Sequence, residues 1–410
     1  MILILFFTFL VFLYSLFSKK LEKTVVTAPI LFCAAGMLIL LYNPVKEEIG
    51  VDMKTLLKLA EVGLVMTLFT DASHVNRQIL RRNKYQPVRL LTTGLLLTIL
   101  LGALAAMVIF RQLTIWEAGI LAAILAPTDA GLGQVIVNSP KVPERIRQSL
   151  NVEAGLNDGI SVPFLMFFIA LSLQSSQGAG SILTRFVLEQ LGLGTLIGLA
   201  IGFFGGMLLE FARRRNWMNR SVQQLGLITL PFFCVLVSEP VGASMFIAAF
   251  VAGLAVQIWF KEAGSHSAEF TEGWGQLLNY FVFYLFGMFV MRAWGDFDNK
   301  MLIYAVLSLT VVRMVPVAIA LAGTRLSKYT VIFMGWFGPR GLASIVLGLV
   351  YLEQEVNTTG ASIIRLVVMV TVLLSIFAHG FSTLPGINLY SKKLAGLDEK
   401  SPEKQVEMKL

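Results

Sequence analysis

Leu125-Ala126-Pro127-Thr128-Asp129-Ala130-Gly131-Leu132-Gly133 sits in the middle of an apolar run, 115–137, of the length that crosses a bilayer as a helix. Proline removes a hydrogen bond from the helical ladder and glycine weakens the turns beside it, so this run is predicted to unwind at mid-membrane. Gly335-Trp336-Phe337-Gly338-Pro339-Arg340-Gly341-Leu342-Ala343-Ser344 does the same inside a second run, 329–351, this time around an arginine. These two interruptions decide the architecture. They fall fifth and twelfth among thirteen apolar segments, which are matching places if segments 1–6 and 8–13 are repeats linked by segment 7.

The rest of the chain is the setting that such segments require. Of 410 residues, 56% are hydrophobic and 14% charged, where a soluble domain carries roughly one quarter charged residues. The chain therefore reads as an all-α integral membrane protein, because its runs lack the period-2 alternation of a barrel strand and lipid leaves only helices otherwise. The formal charge of +8 does not point to nucleic acid: the Lys and Arg residues sit in short loops, where they act as topology signals. Cys33 and Cys234 lie in apolar runs without metal-ligand spacing and read as small buried hydrophobes.

The predicted helices are 2–18, 25–42, 55–74, 88–110, 115–137, 147–173, 186–210, 223–238, 241–260, 273–292, 300–322, 329–351 and 361–385, the division at Pro240 being the weakest boundary. Met1 to Phe17 lacks the basic start and small-residue cleavage site of a signal peptide and is taken as the first membrane helix. One set of alternate loops carries eighteen Lys and Arg residues, Lys19, Lys20, Lys23, Arg77, Arg81, Arg82, Lys84, Arg89, Lys141, Arg145, Arg147, Arg213, Arg214, Arg215, Arg220, Lys261, Arg325 and Lys328. The other carries seven, Lys46, Lys54, Arg111, Arg185, Arg292, Lys300 and Arg365. The positive-inside rule makes the first set cytoplasmic, which places the N-terminus outside and the tail 386–410 inside. That tail, polar and without apolar periodicity, is predicted to be disordered. No nucleotide-binding loop is found, so direct ATP coupling on this chain is not expected.

Asn151-Val152-Glu153-Ala154-Gly155-Leu156-Asn157-Asp158-Gly159-Ile160-Ser161-Val162-Pro163 adds two carboxylates to the sixth segment. An ionised side chain at mid-bilayer costs roughly 2.5–3.5 kcal/mol even on the lenient scale, so such residues face a protein interior or a wet cavity and mark an ion or proton path. Asp158 lies about 140° around the helix from Glu153, so the two acids meet different neighbours. The intramembrane cations available to Glu153 are Arg313 and Arg340, and a buried charge needs a partner. Glu153 is accordingly read as one half of a structural ion pair with either arginine. Asp158 has no arginine left over and stands with Asp129, whose helix is unwound. Carboxylates and freed carbonyls are hard oxygen donors suited to Na⁺ or Li⁺, and one acid that must hold either a proton or a cation produces exchange. Interrupted helices at corresponding positions of two halves are also where transporters bind their substrates.

Other polar residues have plainer readings. Asp71 is expected to pair with Arg77 at a helix end, with a place at the mouth of an ion path as the alternative. His74, His266 and His379 belong to no cluster, and Glu262, Glu269 and Glu272 read as a solvated loop in preference to a cation funnel. The 30 phenylalanines spread over nearly every helix as lipid-facing and core filler.

Taken in order, Ala126-Pro127-Thr128-Asp129, Glu153 followed by Asn157-Asp158-Gly159, Arg313, and Gly338-Pro339-Arg340-Gly341 resemble the monovalent cation/proton antiporters of the sodium/proton exchanger (NhaP-like) family over nearly the whole chain. The resemblance implies an NhaA-like antiporter fold of about thirteen helices in two inverted repeats, a transporter and not an enzyme. Segments 4–6 and 11–13 (88–173 and 300–385) would form the moving core. Segments 1–3 and 7–10 (1–74 and 186–292) would form the scaffold of a homodimer in a bacterial or archaeal inner membrane.

It further implies that Asp158 carries both cation and proton, with Na⁺ held at Asp158, Asp129 and Thr128 and supported by Asn157. Glu153 and Arg340 match the family's structural bridge. The transported Na⁺, Li⁺ or K⁺ and H⁺ would be the only small partners, with no cofactor. An Asn-Asp pair, where others have Asp-Asp, implies electroneutral exchange of one proton per cation. Two departures bear on cation choice: Ala154 stands where many relatives carry serine, and Pro339 replaces a commoner aliphatic residue. The alternative is a sodium-coupled symporter of a small organic anion, which would need a free arginine for the carboxylate.

Overall fold

The computed structural model describes residues 2–21, 24–42, 53–75, 85–173, 191–264, 266–353, 360–398 and 401–404. They form helices α1 (Ile2–Leu21), α2 (Ala28–Tyr42), α3 (Met53–Ser73), α4 (Tyr85–Ile109), α5a (Ile115–Ile124) with α5b (Ala130–Val137), and α6 (Glu144–Ser172). After these come α7 (Gly194–Arg214), α8 (Arg220–Ser238), α9 (Met245–Val256), α10 (His266–Arg292), α11a (Asn299–Leu309) with α11b (Val311–Ala320), α12a (Lys328–Trp336) with α12b (Leu342–Glu353), and α13 (Ala361–Ala395). Among the described residues eight helices are long and apolar enough to cross a membrane, and α2, α5a, α9 and α12b are shorter apolar helices. The chain is a multi-pass, all-α membrane protein whose helices are compatible with the thirteen segments read from the sequence.

Helix boundaries follow local chemistry. α5a opens with a capping box: Thr114 accepts from the Glu117 N–H while the Glu117 carboxylate accepts from the Thr114 N–H. The other Glu117 oxygen accepts from Gly360 N at 2.8 Å, which ties the start of α5a to the start of α13. Between α8 and α9 the chain makes a 3₁₀ turn, Glu239–Val241, then Gly242 at φ 65°, and Ser244 caps α9. Pro240 therefore marks the turn as expected, although α9 is shorter than the predicted 241–260. α13 runs ten residues past its predicted end at 385, through Pro385, and finishes with Lys392 and Lys393 in its last turn, where cations suit the helix dipole.

Packing sorts the helices by neighbour. α10 packs on α2 and α3, and α3 on α9. Gly194, Gly198, Gly202 and Gly206 bring α7 against α9, because a Cβ at any of them would meet the α9 backbone at Ser244, Ala248, Ala252 or Val256. α4 packs on α5a, α5a on α6, α11a on α13, and α11b on α12a. α6 is half interior, with 56% of its apolar window buried, whereas only 6% of the α1 window is covered, as fits a helix facing lipid.

The tail differs from its predicted disorder at residues 401–404. Lys404 Nζ donates to the Ala395 and Leu397 carbonyls at the end of α13. Glu403 Oε1 accepts from Ser327 N at 2.6 Å and Thr330 Oγ1 at 2.8 Å at the start of α12a. Two helix ends with unmet backbone groups supply the partners that composition alone does not reveal. The basic stretch 77–84, Arg185 and the start of the predicted seventh helix lie outside the described residues.

Candidate functional site

The unwound stretches Leu125–Asp129 and Phe337–Gly341 cross and satisfy each other's backbone. Asp129 N donates to Pro339 O at 2.8 Å, and Arg340 Nη1 donates to Pro127 O at 3.1 Å. The Asp129 carboxylate, 7% exposed, accepts from Leu132 N through Oδ1 at 3.1 Å and from Leu342 N through Oδ2 at 2.5 Å. One carboxyl thus caps α5b and α12b together, at ends where unpaired N–H groups leave partial positive charge. Gly341 is required there because a Cβ would overlap Asp129 Oδ2. At Gly338 a Cβ would overlap the Arg313 guanidinium, so the second glycine of the motif makes room for an arginine from α11b.

That passage decides the partner of Glu153. Arg313 Nη1 donates to Glu153 Oε1 at 2.6 Å with both side chains buried. The bridge implied by the resemblance, Glu153 with Arg340, is corrected to Glu153 with Arg313. Arg340 is held elsewhere: its N–H donates to Ser375 Oγ at 2.6 Å and its guanidinium turns to the Pro127 carbonyl across the crossing. Arg340 is fully buried, and its Nε and Nη2 find no protein acceptor.

His379 is not isolated. Its Nε2 lies 2.9 Å from the Trp336 carbonyl, while its Nδ1 lies 3.0 Å from the Ser375 carbonyl and 3.1 Å from Ser375 Oγ, so the ring bridges α12a and α13. The end of α12a and the Arg340 N–H are thereby both clasped to α13.

Asn157 Nδ2 donates to Thr128 Oγ1 at 2.8 Å, joining α6 to the α5 break. Asp158, one residue on and 5% exposed, has an Oδ1 without a protein partner. Asp158 and Asp129 line one cavity of about 910 Å³, together with Asp71 of α3, Gln134 of α5b, and Glu272 and Asn279 of α10. Its lining also includes Ser18, Thr24, Ser139, Lys141 and Asn388. Thr128 does not line this cavity; with Asp129, Asn151 and Ala154 it lines a separate space of about 20 Å³, room for roughly one water.

Asp71 lines the cavity with an unpartnered Oδ2, in keeping with the alternative reading of it as an entrance carboxylate, while its expected partner Arg77 lies outside the described residues. The signal available was Thr67 and Asp71 at i and i+4, one polar stripe on an apolar helix, and both line the cavity. Glu272 lines it too, instead of belonging to a solvated loop; the side chains of Glu262, Glu269 and His266 are outside the described set. Among the described residues no three His, Cys, Asp or Glu side chains form a group able to hold a metal ion.

A family model described as the sodium/hydrogen exchanger, transmembrane, matches residues 4–385. The Na(+)/H(+) antiporter 2 of Zygosaccharomyces rouxii is 25% identical over 308 residues, covering 70% of this chain and 38% of the relative. The Na(+)/H(+) antiporter of Schizosaccharomyces pombe is 25% identical over 312 residues, covering 68% of this chain and 65% of the relative. The chain thus spans less than two thirds of either yeast protein. Among solved structures, the sodium proton antiporter MjNhaP1 of Methanocaldococcus jannaschii at pH 8 superposes with a TM-score of 0.77 at 20% identity over 97% of this chain and 99% of that one, so the fold is shared.

Proposed function

Because this chain belongs to the sodium/hydrogen exchanger family, we propose that it is a secondary antiporter exchanging a monovalent cation for H⁺ across a cell membrane, with Na⁺ as the cation and Li⁺ or K⁺ as alternatives. The observation that carries this is Asp158: a buried carboxyl with an unpartnered oxygen at the inner end of a polar cavity of about 910 Å³. A carboxylate there binds a cation or a proton, and not both.

The neighbours divide the work. Asp129 accepts from the Leu132 N–H through Oδ1 and from the Leu342 N–H through Oδ2, which fixes the crossing of the two broken helices beside the cavity. The Asn157–Thr128 bond holds α6 against the break, and because Asn157 is neutral, one acid handles both ions, giving one proton per cation. Asp71 contributes a third carboxylate from α3. A water in the small space beside Ala154 substitutes for the missing hydroxyl. The Glu153–Arg313 pair and the His379 clasp are structural.

The cavity opens to the cytoplasm, with the N-terminus outside. Alternation moves α4–α6 and α11–α13 against α1–α3 and α7–α10, which also form the homodimer contact. Organic-anion symport has no support, since the matched family and the named relatives are sodium/proton exchangers.

The test is an imposed pH gradient in proteoliposomes followed by a quenched dye. Addition of Na⁺, Li⁺ or K⁺ should collapse the gradient, at a rate unchanged when valinomycin and K⁺ clamp the potential in the Na⁺ arm. No cation-dependent proton movement would reject exchange, and a rate that follows the potential would reject the one-to-one ratio.

A further inference from the structure

Glu272, in the second turn of α10 and partly buried, lines the cavity together with Asp71, Asp129 and Asp158. Its Oε1 accepts two hydrogen bonds, each 2.9 Å long: one from Gln276 Nε2 on its own helix and one from Gln134 Nε2 on α5b. The second bond matters because of what it joins. α5b is the leg of the broken helix capped by Asp129, and it packs on α6 and α13, whereas α10 packs on α2 and α3. Gln134 therefore reaches across the cavity to the other group of helices. Glu272 and Asp71 line the same cavity, so a cation entering it meets carboxyls from α10 and α3. Lys141, in the same lining, is engaged by Asn388 Oδ1 at 2.6 Å.

We propose that Glu272 governs both cation uptake and the rate of alternation: its charge stages the incoming cation, and its Oε1 tethers α5b to α10 and holds this side of the path open. The proposal rests on the antiport reading, because only there does α5b have to move relative to α10. The two roles are linked through one atom. Oε1 has two lone pairs and both are taken by glutamine donors, so a cation ligated by it displaces a donor and loosens the tether. Arrival of cargo thus favours release of the open side.

Charge and tether separate by substitution. Glu272→Gln keeps a carbonyl oxygen for Gln134 and removes the charge, while Gln134→Ala keeps the charge and removes the tether. Exchange rate is measured against Na⁺ concentration in proteoliposomes for the wild type, Glu272→Gln, Glu272→Asp and Gln134→Ala, with Asp158→Asn as the inactive control.

Glu272→Gln should raise the half-saturating Na⁺ concentration roughly threefold or more with little change in maximal rate, and inert choline chloride should shrink that difference by screening. Glu272→Asp should restore the half-saturation. Gln134→Ala should leave half-saturation in place and change the maximal rate by about two- to tenfold, the effect of one hydrogen bond. Wild-type half-saturation in Glu272→Gln, or a wild-type maximal rate in Gln134→Ala, overturns the corresponding role. An active wild type with indifferent variants removes this inference alone, whereas a wild type that moves no protons removes the antiport reading and the inference with it.

Discussion

The Leu342 N–H donates to Asp129 Oδ2 at 2.5 Å, so a carboxylate from one broken helix caps the second leg of the other. Asp129→Ala would orphan this donor and that of Leu132, at roughly 1–3 kcal/mol for each buried group left unmet. The variant should show a lowered unfolding temperature in detergent before any question of ion affinity arises. Gly341→Ala should do likewise, because the added methyl overlaps the same oxygen. Wild-type thermal stability in both would contradict the double-cap role.

Glu153 and Arg313 should behave as a coupled pair. Removing one member of a buried ion pair costs about 3–5 kcal/mol, mostly from the charge left behind. A double-mutant cycle on stability, Glu153→Gln with Arg313→Gln, should give a coupling energy well above that of Glu153→Gln with Arg340→Gln. Equal couplings, or the reverse order, would restore Arg340 as the partner.

How far the sequence carries is plain from these residues. The breaks at Pro127 and Pro339 are local chemistry, readable from proline and glycine within an apolar run, and the structure has both. The separation of Glu153 from Asp158 follows from helical geometry alone. Which arginine meets Glu153 does not, since it depends on α11b passing Gly338 at the crossing, a tertiary event. Glu272 was illegible for a related reason: it looks like a solvated loop charge until the packing of α10 turns it toward the cavity. The docked stretch 401–404 is too short to show a pattern, and its order comes from the nearby end of α13 and from the start of α12a, distant in sequence.

Ala154 beside the space of about 20 Å³ sets the third prediction. Ala154→Ser would place a fixed hydroxyl where a water now fits, and should lower the half-saturating Na⁺ concentration by about two- to tenfold, in the range of one added polar contact. An unchanged Na⁺ response would separate this space from the ion site.

Glu403 provides a pH test outside the membrane. Burial opposes its charge, but the Ser327 N–H and the Thr330 hydroxyl outweigh that and hold its carboxyl below the usual glutamate range. A carboxyl lowered in the folded state adds stability above its unfolded pKa, about 4.3, and loses it as pH falls through the lower folded value. Residues 401–404 should be protected from proteolysis at neutral pH and exposed in acid, while Glu403→Gln should be cleaved readily at both. Protection that ignores both pH and the substitution would mean the tail is held by other contacts.

The central claim is that Asp158 alone carries cation and proton in turn. Its most direct test is Asp158→Asn, reconstituted in proteoliposomes after size-exclusion and thermal-melt checks that it folds as the wild type does. The account predicts a folded protein that leaves an imposed pH gradient intact at every Na⁺, Li⁺ and K⁺ concentration; cation-driven proton movement at the wild-type rate would contradict it.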